Sequence, residues 1–332
     1  MAKKVQIHRQ TSSPFEFDFS KEYFPVIMLV FAALAALITN FIPKVFLNAE
    51  LSLKMHYDVL SGKAMAFYQY QMYVHDNIIE RIYFLLGKSP YNFAVVHIVY
   101  YSVGWLLFLF FLYLLCRKYS TVLASSIVIL FLIAISGFFW HDNYYHPGDS
   151  WGCLVTVFLL REILDKRRPF VMYPLYLISG FIWEKTLLLP ISVGLSDYLR
   201  NKKPVVLTVE LLIAMFLTSL GQLIPRYLDH INGINRPVDG ISLAANLHSI
   251  PIYILYMLIV FGLVLFSILR YWRDTPVIYR MIVLQFPVWI TIYLVLNGVL
   301  TEMRGIYIMI PLLWPAFAEG VDRWLIIHEN RS

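Results

Sequence analysis

Long apolar runs, separated either by short basic clusters or by polar loops that carry acids, repeat along this chain. The first covers 24–45, the next 91–116, a third ends at Trp140, and a fourth covers 151–164. Others follow at 205–224, 252–269, 277–300 and 306–317. Between the fourth run and residue 205 lies "FVMYPLYLISGFIWEKTLLLPISVGLSDYL", bracketed by "DKRRP" and "RNKKP" and broken at "WEK". That stretch predicts a hairpin of two short helices returning to the side it left. Lipid offers backbone groups no partner outside their own segment, so such runs are read as spanning helices. The alternation that marks a β-barrel is absent. The expected fold is all-α: a polytopic helical membrane protein of about ten helical segments.

The region 46–90 departs from this pattern. Tyr68, Met72, His75, Ile79 and Ile82 recur at helical spacing, while Tyr73, Asp76 and Glu80 fall on a more polar face. This predicts interfacial helices lying in the membrane plane, with their aromatic rings at headgroup level.

Composition agrees with the pattern. Hydrophobic residues make up 59% of the 332 residues and charged residues only 14%, against ~25% charged in soluble domains. The net charge of +6 does not point to nucleic acid, because the basic residues sit in short clusters at helix ends, where they signal topology. With the N-terminus inside, eighteen of the 27 Lys and Arg residues fall on the cytoplasmic side and eight outside, with Lys185 ambiguous. Residues 1–23 are then a cytoplasmic tail, too long and polar for a cleaved signal. Residues 24–322 form the transmembrane domain, 46–90 its first outer loop, and 323–332 a cytoplasmic C-terminal tail. Cys116 and Cys153 have no metal-like spacing and are expected to be packing residues.

This orientation gathers the candidate chemistry on the non-cytoplasmic face. The loop "HDNYYHPGDSWG" holds His141, Asp142, His146 and Asp149 beside Tyr144 and Tyr145. Imidazole and carboxylate are ordinary ligands, so Asp142, His146 and Asp149 could hold a divalent metal ion, although the spacing matches no standard zinc motif. Pro147-Gly148 predicts a turn, and Asp149 or Ser150 can cap the helix that follows. Glu184 and Lys185 interrupt an apolar stretch, where a charge is costly unless paired or hydrated. Glu302 and Arg304, in "TEMRG", sit between the last two spans. Arg304 could clamp a phosphate with its planar fork or snorkel to headgroups. Asp58 stands just above the first span.

This layout resembles the GT-C class of membrane glycosyltransferases, which take sugars from polyprenyl-phosphate carriers. The resemblance is carried by Asp58 in the first outer loop, the interfacial helices after it, and the second acidic loop with Asp142 and Asp149. "GFIWEKTLLLP" is similar to the short-helix segment of such proteins, and "TEMRGIYIMIPLLWP" to a late span start. The resemblance implies a polyprenyl-phosphate lipid donor and Asp58 as catalytic base. It implies substrate contacts from Asp142, Tyr144, Glu184, Lys185, Glu302 and Arg304. Two departures, Gln71 where an arginine is common and the reversed Glu184–Lys185 order, leave open a non-catalytic relative. Such a relative would serve as a membrane subunit or scaffold among protein partners. A transporter is disfavoured, because "WEK" has no counterpart broken helix in the second half.

Overall fold

The computed structural model describes residues 19–50, 82–83, 85–87, 89–139, 148–165, 168–182, 186, 188–201, 204–231, 255, 258, 261–296 and 309–329. Among the described residues the secondary structure is helical and there is no strand. In chain order the helices are α1 (Phe19–Ala36), α2 (Ile42–Leu47), α3 (Pro90–Arg117), α4 (Val122–Phe139), α5 (Gly148–Asp165) and α6 (Pro169–Ile182). They continue with α7 (Leu188–Asn201), α8 (Pro204–Ile231), α9 (Phe261–Arg270), α10 (Val277–Leu296) and α11 (Met309–Glu329).

Among the described residues, two stretches are long and apolar enough to cross a membrane: Glu22–Leu47 and Pro90–Arg117. The first is one continuous rod, because a π-turn at Leu37–Phe41 joins α1 to α2. Pro43 accounts for the widened turn: it has no N–H to donate backwards, and its ring crowds the preceding turn. Thr39 lies in that turn and donates its hydroxyl to the Ala35 carbonyl at 2.8 Å. α3 starts sharply. The Ser89 hydroxyl accepts the Asn92 N–H at 3.1 Å, and Pro90 follows at the first helical position. These are the two residue types a helix start favours. Gly87, at φ +92°, turns the chain into this cap.

The bundle packs around α11. From Ile310 to Ala318 every residue of this helix is buried, and a helix apolar on all sides belongs at the centre. Trp314 is fully buried and donates Nε1–H to the Val128 carbonyl of α4 at 3.0 Å. Around it lie Phe131, Phe261 and Phe317. α6 and α8 cross at glycines. A Cβ on Gly180 would collide with the Thr218 carbonyl, and one on Gly221 with the Leu177 carbonyl. Outward faces are apolar as well: Phe31, Ile38, Leu212, Phe216 and Leu284 all stand exposed.

The ion pairs define one end of the bundle. Glu22 at the start of α1 bonds Tyr113 and Arg117 at the end of α3, at 3.0 and 3.3 Å. Lys118 pairs with Asp165 at the end of α5. Thr121, which opens α4, donates its N–H to Asp322 of α11 at 3.1 Å. Arg323 of α11 reaches Asp274, in the turn after α9, at 2.8 Å. These contacts gather the start of α1, the ends of α3, α5 and α11, the start of α4 and the α9–α10 turn. The opposite helix ends therefore lie together at the other end.

Several elements run differently from the pattern in the sequence. α1 begins at Phe19, inside the stretch read as tail, and buries Glu22. α8 continues to Ile231, and α11 runs to Glu329 rather than stopping near Phe317. The charges near its end are partnered, Arg323 with Glu319 at 2.7 Å and Asp322 with Thr121, so the helix has no reason to stop there. Two short helices, α6 and α7, flank "WEK" as the sequence predicts, but α6 packs mainly on α8 and α5, and α7 on α8 and α10, rather than on each other. Cys116 and Cys153 are fully buried, as packing residues should be.

Candidate functional site

Opposite the ion-paired end, the described residues form an aromatic floor. The Phe41 ring stacks on Tyr101 at 4.3 Å, and Phe46 stacks on Tyr91 at 5.6 Å. His97 of α3 is fully buried between Phe41 and Phe93, with ring centroids at 6.3 and 6.2 Å. Tyr100 lies 5.2 Å from Trp151 at the start of α5. Gly104 leaves the room in which Ser150 and Trp151 approach α3. The π-turn carries Phe41 and so sets the wall of this floor on the α1 side.

Asp149 is the one sequence-predicted site residue among the described residues. It lies in the first turn of α5 and is buried, at 6% exposure. A carboxylate there is favoured by the N-terminal end of the helix dipole. The expectation that Asp149 or Ser150 caps this helix needs correcting. α5 already begins at Gly148, so both residues are inside it, and the Ser150 hydroxyl instead donates sideways to the Tyr101 carbonyl at 3.3 Å. Asp58, His141, Asp142, Tyr144, Tyr145, His146, Glu184, Lys185, Glu302 and Arg304 lie outside the described residues. So do residues 51–81, 84 and 88 of the interfacial region. Among the described residues no group of three His, Cys, Asp or Glu side chains is placed to hold a metal ion.

Alternation along the chain, starting from the ion-paired end, directs the helix ends that flank these candidates to the same end of the bundle. The chain leaves the floor end after α2 and returns at α3, which brackets Asp58. It leaves after α4 and returns at α5, bracketing the His141–Asp149 loop, and it leaves after α6 and returns at α7, bracketing Glu184 and Lys185. α10 and α11 bracket Glu302 and Arg304 in the same way. The sequence pattern of alternating sides predicts this order, and the polar contacts at the far end fix α1, α3, α5, α11 and the start of α4 there.

Among the described residues, sequence reasoning missed five buried acidic or imidazole side chains: Glu22, His97, Glu162, Asp197 and Asp322. His97 was legible as a lone imidazole within the apolar run "NFAVVHIVYY", where an ionisable side chain is expensive. Its aromatic cage makes it a packing residue of the floor. Glu162 could have been paired by eye with the basic cluster that follows it. It accepts two hydrogen bonds from the Arg168 side chain, each 2.8 Å long. The side-chain hydrogen bond to Glu162 is the main cause that holds the Arg168 guanidinium above its ordinary range.

Compared with protein-family models, with curated proteins and with solved structures, the chain finds no match. What it does must therefore be argued from its own residues.

Proposed function

We propose that this chain is a multi-pass membrane glycosyltransferase that moves a sugar from a polyprenyl-phosphate carrier to an acceptor hydroxyl at the non-cytoplasmic face. The observation that carries the proposal is the common origin of the acid-bearing loops. The helix ends flanking Asp58, Asp142, Glu184 and Glu302 all sit at the end of the bundle away from the ion pairs. Transfer needs a base, a phosphate-binding cation and a lipid within one chamber, and loops leaving a single end can supply all three. The exposed apolar residues on α1, α8 and α10 suit a lipid surround. Basic clusters at the ion-paired end put that end, and both termini, on the cytoplasmic side.

In this reading the Asp58 carboxylate takes the proton of the acceptor hydroxyl as its oxygen attacks the anomeric carbon. The bond from that carbon to the lipid phosphate breaks, and the phosphate leaves with the electron pair. Lys185 and Arg304 stabilise the departing oxygens. Tyr144, Asp142, Glu184 and Glu302 contact sugar and phosphate. A divalent ion, where one takes part, would be held by Asp142, His146 and Asp149 and would supply positive charge for the phosphate. Asp149 fits that role in type and place, as a carboxylate in the turn directly after the loop.

The test is transfer by the purified chain in lipid, supplied with a panel of polyprenyl-phosphate hexoses and pentoses and read as release of polyprenyl phosphate. Asp58→Asn should abolish release while leaving the fold intact by circular dichroism. Full release by that variant removes the base assignment, and undiminished release in chelator removes the metal. No release by the wild type with any donor in the panel favours the non-catalytic subunit.

A further inference from the structure

α1 packs mainly along α4, with lighter contact to α3. On its outward side Phe24, Ile27, Phe31, Leu34 and Ile38 are all exposed. They recur at alternating intervals of three and four, the spacing at which one helix packs along another. An apolar face alone would suit lipid tails equally well, but this one ends in a polar group. At Leu37–Phe41 the wider π-turn leaves three successive residues exposed, Ile38, Thr39 and Asn40.

The Asn40 amide is only partly served by its own chain. Its Nδ2 donates to the Thr39 hydroxyl at 3.0 Å. The second N–H and the Oδ1 acceptor have no hydrogen-bond partner among the described residues. α4 offers no side chain beside them: the neighbour is Gly137, where a Cβ would stand 3.6 Å from Oδ1. Ser136 turns its hydroxyl back to the Ile133 carbonyl at 2.6 Å. The span Glu22–Leu47 has 26 residues, and at 1.5 Å per residue Asn40 lies about 8 Å from its middle. A hydrocarbon layer of about 30 Å reaches well past that depth. A half-bonded amide facing lipid there is costly until a neighbour supplies both an acceptor and a donor.

We infer that the outward face of α1 is the contact between two copies of this chain, closed by a reciprocal hydrogen bond between their Asn40 amides. The inference rests on the membrane placement proposed above and not on sugar transfer. Two copies enter the membrane with the same topology, so a two-fold axis along the membrane normal sets α1 parallel to its copy. Each residue then stands opposite itself at equal depth. A primary amide carries both donor and acceptor, so the Nδ2–H of each Asn40 donates to the Oδ1 of the other. A lipid tail has neither group. A helix of another protein would have to carry an amide at this depth, whereas a second copy carries one by symmetry. Ala35, exposed one turn before Thr39, is small enough to let the two backbones approach.

The test uses the full chain, labelled at the N-terminus with donor or acceptor fluorophores, in liposomes over a range of protein-to-lipid ratios. Energy transfer should report a dimer. Asn40→Leu, close in volume but lacking both groups, should weaken association about tenfold, and Asn40→Gln, which keeps the amide, should hold most of it. The one side-chain bond of Asn40 lies within its own turn, so both variants should keep the wild-type circular dichroism spectrum. Leu34→Cys and Ile38→Cys should crosslink between copies on oxidation in the bilayer, and Leu212→Cys on α8 should not. Cys116 and Cys153 are fully buried and do not compete. A chain that stays monomeric overturns the inference, the amide then being served by water from the outer face or by another protein. An Asn40→Leu dimer as tight as wild type, or equal crosslinking through Leu34→Cys and Leu212→Cys, overturns it as well. A monomer that still releases polyprenyl phosphate defeats only this inference, and a dimer that transfers no sugar leaves it standing.

Discussion

Helix propensity and helix packing make opposite predictions for Gly180→Ala and Gly221→Ala. In a helix interior alanine is favoured over glycine by about 1 kcal/mol, so propensity alone predicts stabilisation of each variant. Packing predicts loss. A Cβ added at Gly180 would meet the carbonyl oxygen and carbon of Thr218, and one added at Gly221 the Leu177 carbonyl and the Phe181 N. These are backbone atoms that no rotamer change can move aside, so α6 and α8 must separate along their length. Overpacking typically costs about 1–3 kcal/mol, and backbone partners put both sites at or beyond the upper end of that range. The net expectation is a loss of about 2 kcal/mol per variant, roughly a thirtyfold shift in the folding equilibrium. Once the helices have parted, the second substitution meets less resistance, so the double variant should cost less than the two singles added. Gly262 on α9 is the internal control, since a Cβ there meets no atom within 4 Å among the described residues. Gly262→Ala should be neutral or gain up to about 1 kcal/mol. Thermal unfolding in mild detergent, followed by circular dichroism, reads all four. If Gly180→Ala and Gly221→Ala are as stable as Gly262→Ala, the two backbones do not approach there and the packing argument fails.

What could be read in the sequence, and what could not, follows from which interactions are local. The start of α3 is local, as Ser89 and Pro90 carry their own cap, and it falls within a residue of the predicted 91. The break between α6 and α7 is local too, because the charges at "WEK" interrupt an otherwise apolar stretch between two basic clusters. The far ends of α8 and α11 were not legible. Glu319, Asp322 and Arg323 look like a membrane exit in sequence, yet their partners are on α4, on α11 itself and in the α9–α10 turn. Glu22 was hidden for the same reason, its partners being some ninety residues away. At the candidate site, the basic clusters in the sequence give each loop only an expected side. The start of α5 at Gly148 was not legible, and it turns Ser150 from an expected cap into a contact with α3.

The basic residues therefore have two tasks. The positive-inside bias needs only their charge, whereas the latches need their geometry. Arg117 bridges α1 to the α3–α4 turn, Lys118 joins α3 to α5, and Arg323 joins α11 to the α9–α10 turn. The end of the bundle that carries no candidate chemistry is thus the end that is cross-tied. An arrangement of this kind holds the helices in register from one side while leaving the other side to loops, and it sets the distances among those loops through rigid helices rather than through the loops themselves.

Four variants probe the contacts that hold the bundle. Glu22→Gln should destabilise by about 1–3 kcal/mol in detergent unfolding, since it leaves a largely buried Arg117 short of its anion. Trp314→Phe keeps the ring packing but loses the bond to the Val128 carbonyl, at a cost of about 1 kcal/mol in the same assay. The two tasks of Arg117 are separable by substitution. Arg117→Lys keeps the charge, so the N-terminus should stay on its side in a cysteine-accessibility assay. Lysine has a single ammonium on a flexible stem and cannot span Ser120 and Glu22 as the two terminal guanidinium nitrogens do. Stability should therefore fall by about 1 kcal/mol even though orientation is unchanged. Arg117→Gln should lose more, because Glu22 is then buried without a cation. Equal stability of Arg117→Lys and wild type would mean that charge alone holds this end, and the geometric role of the guanidinium would be lost.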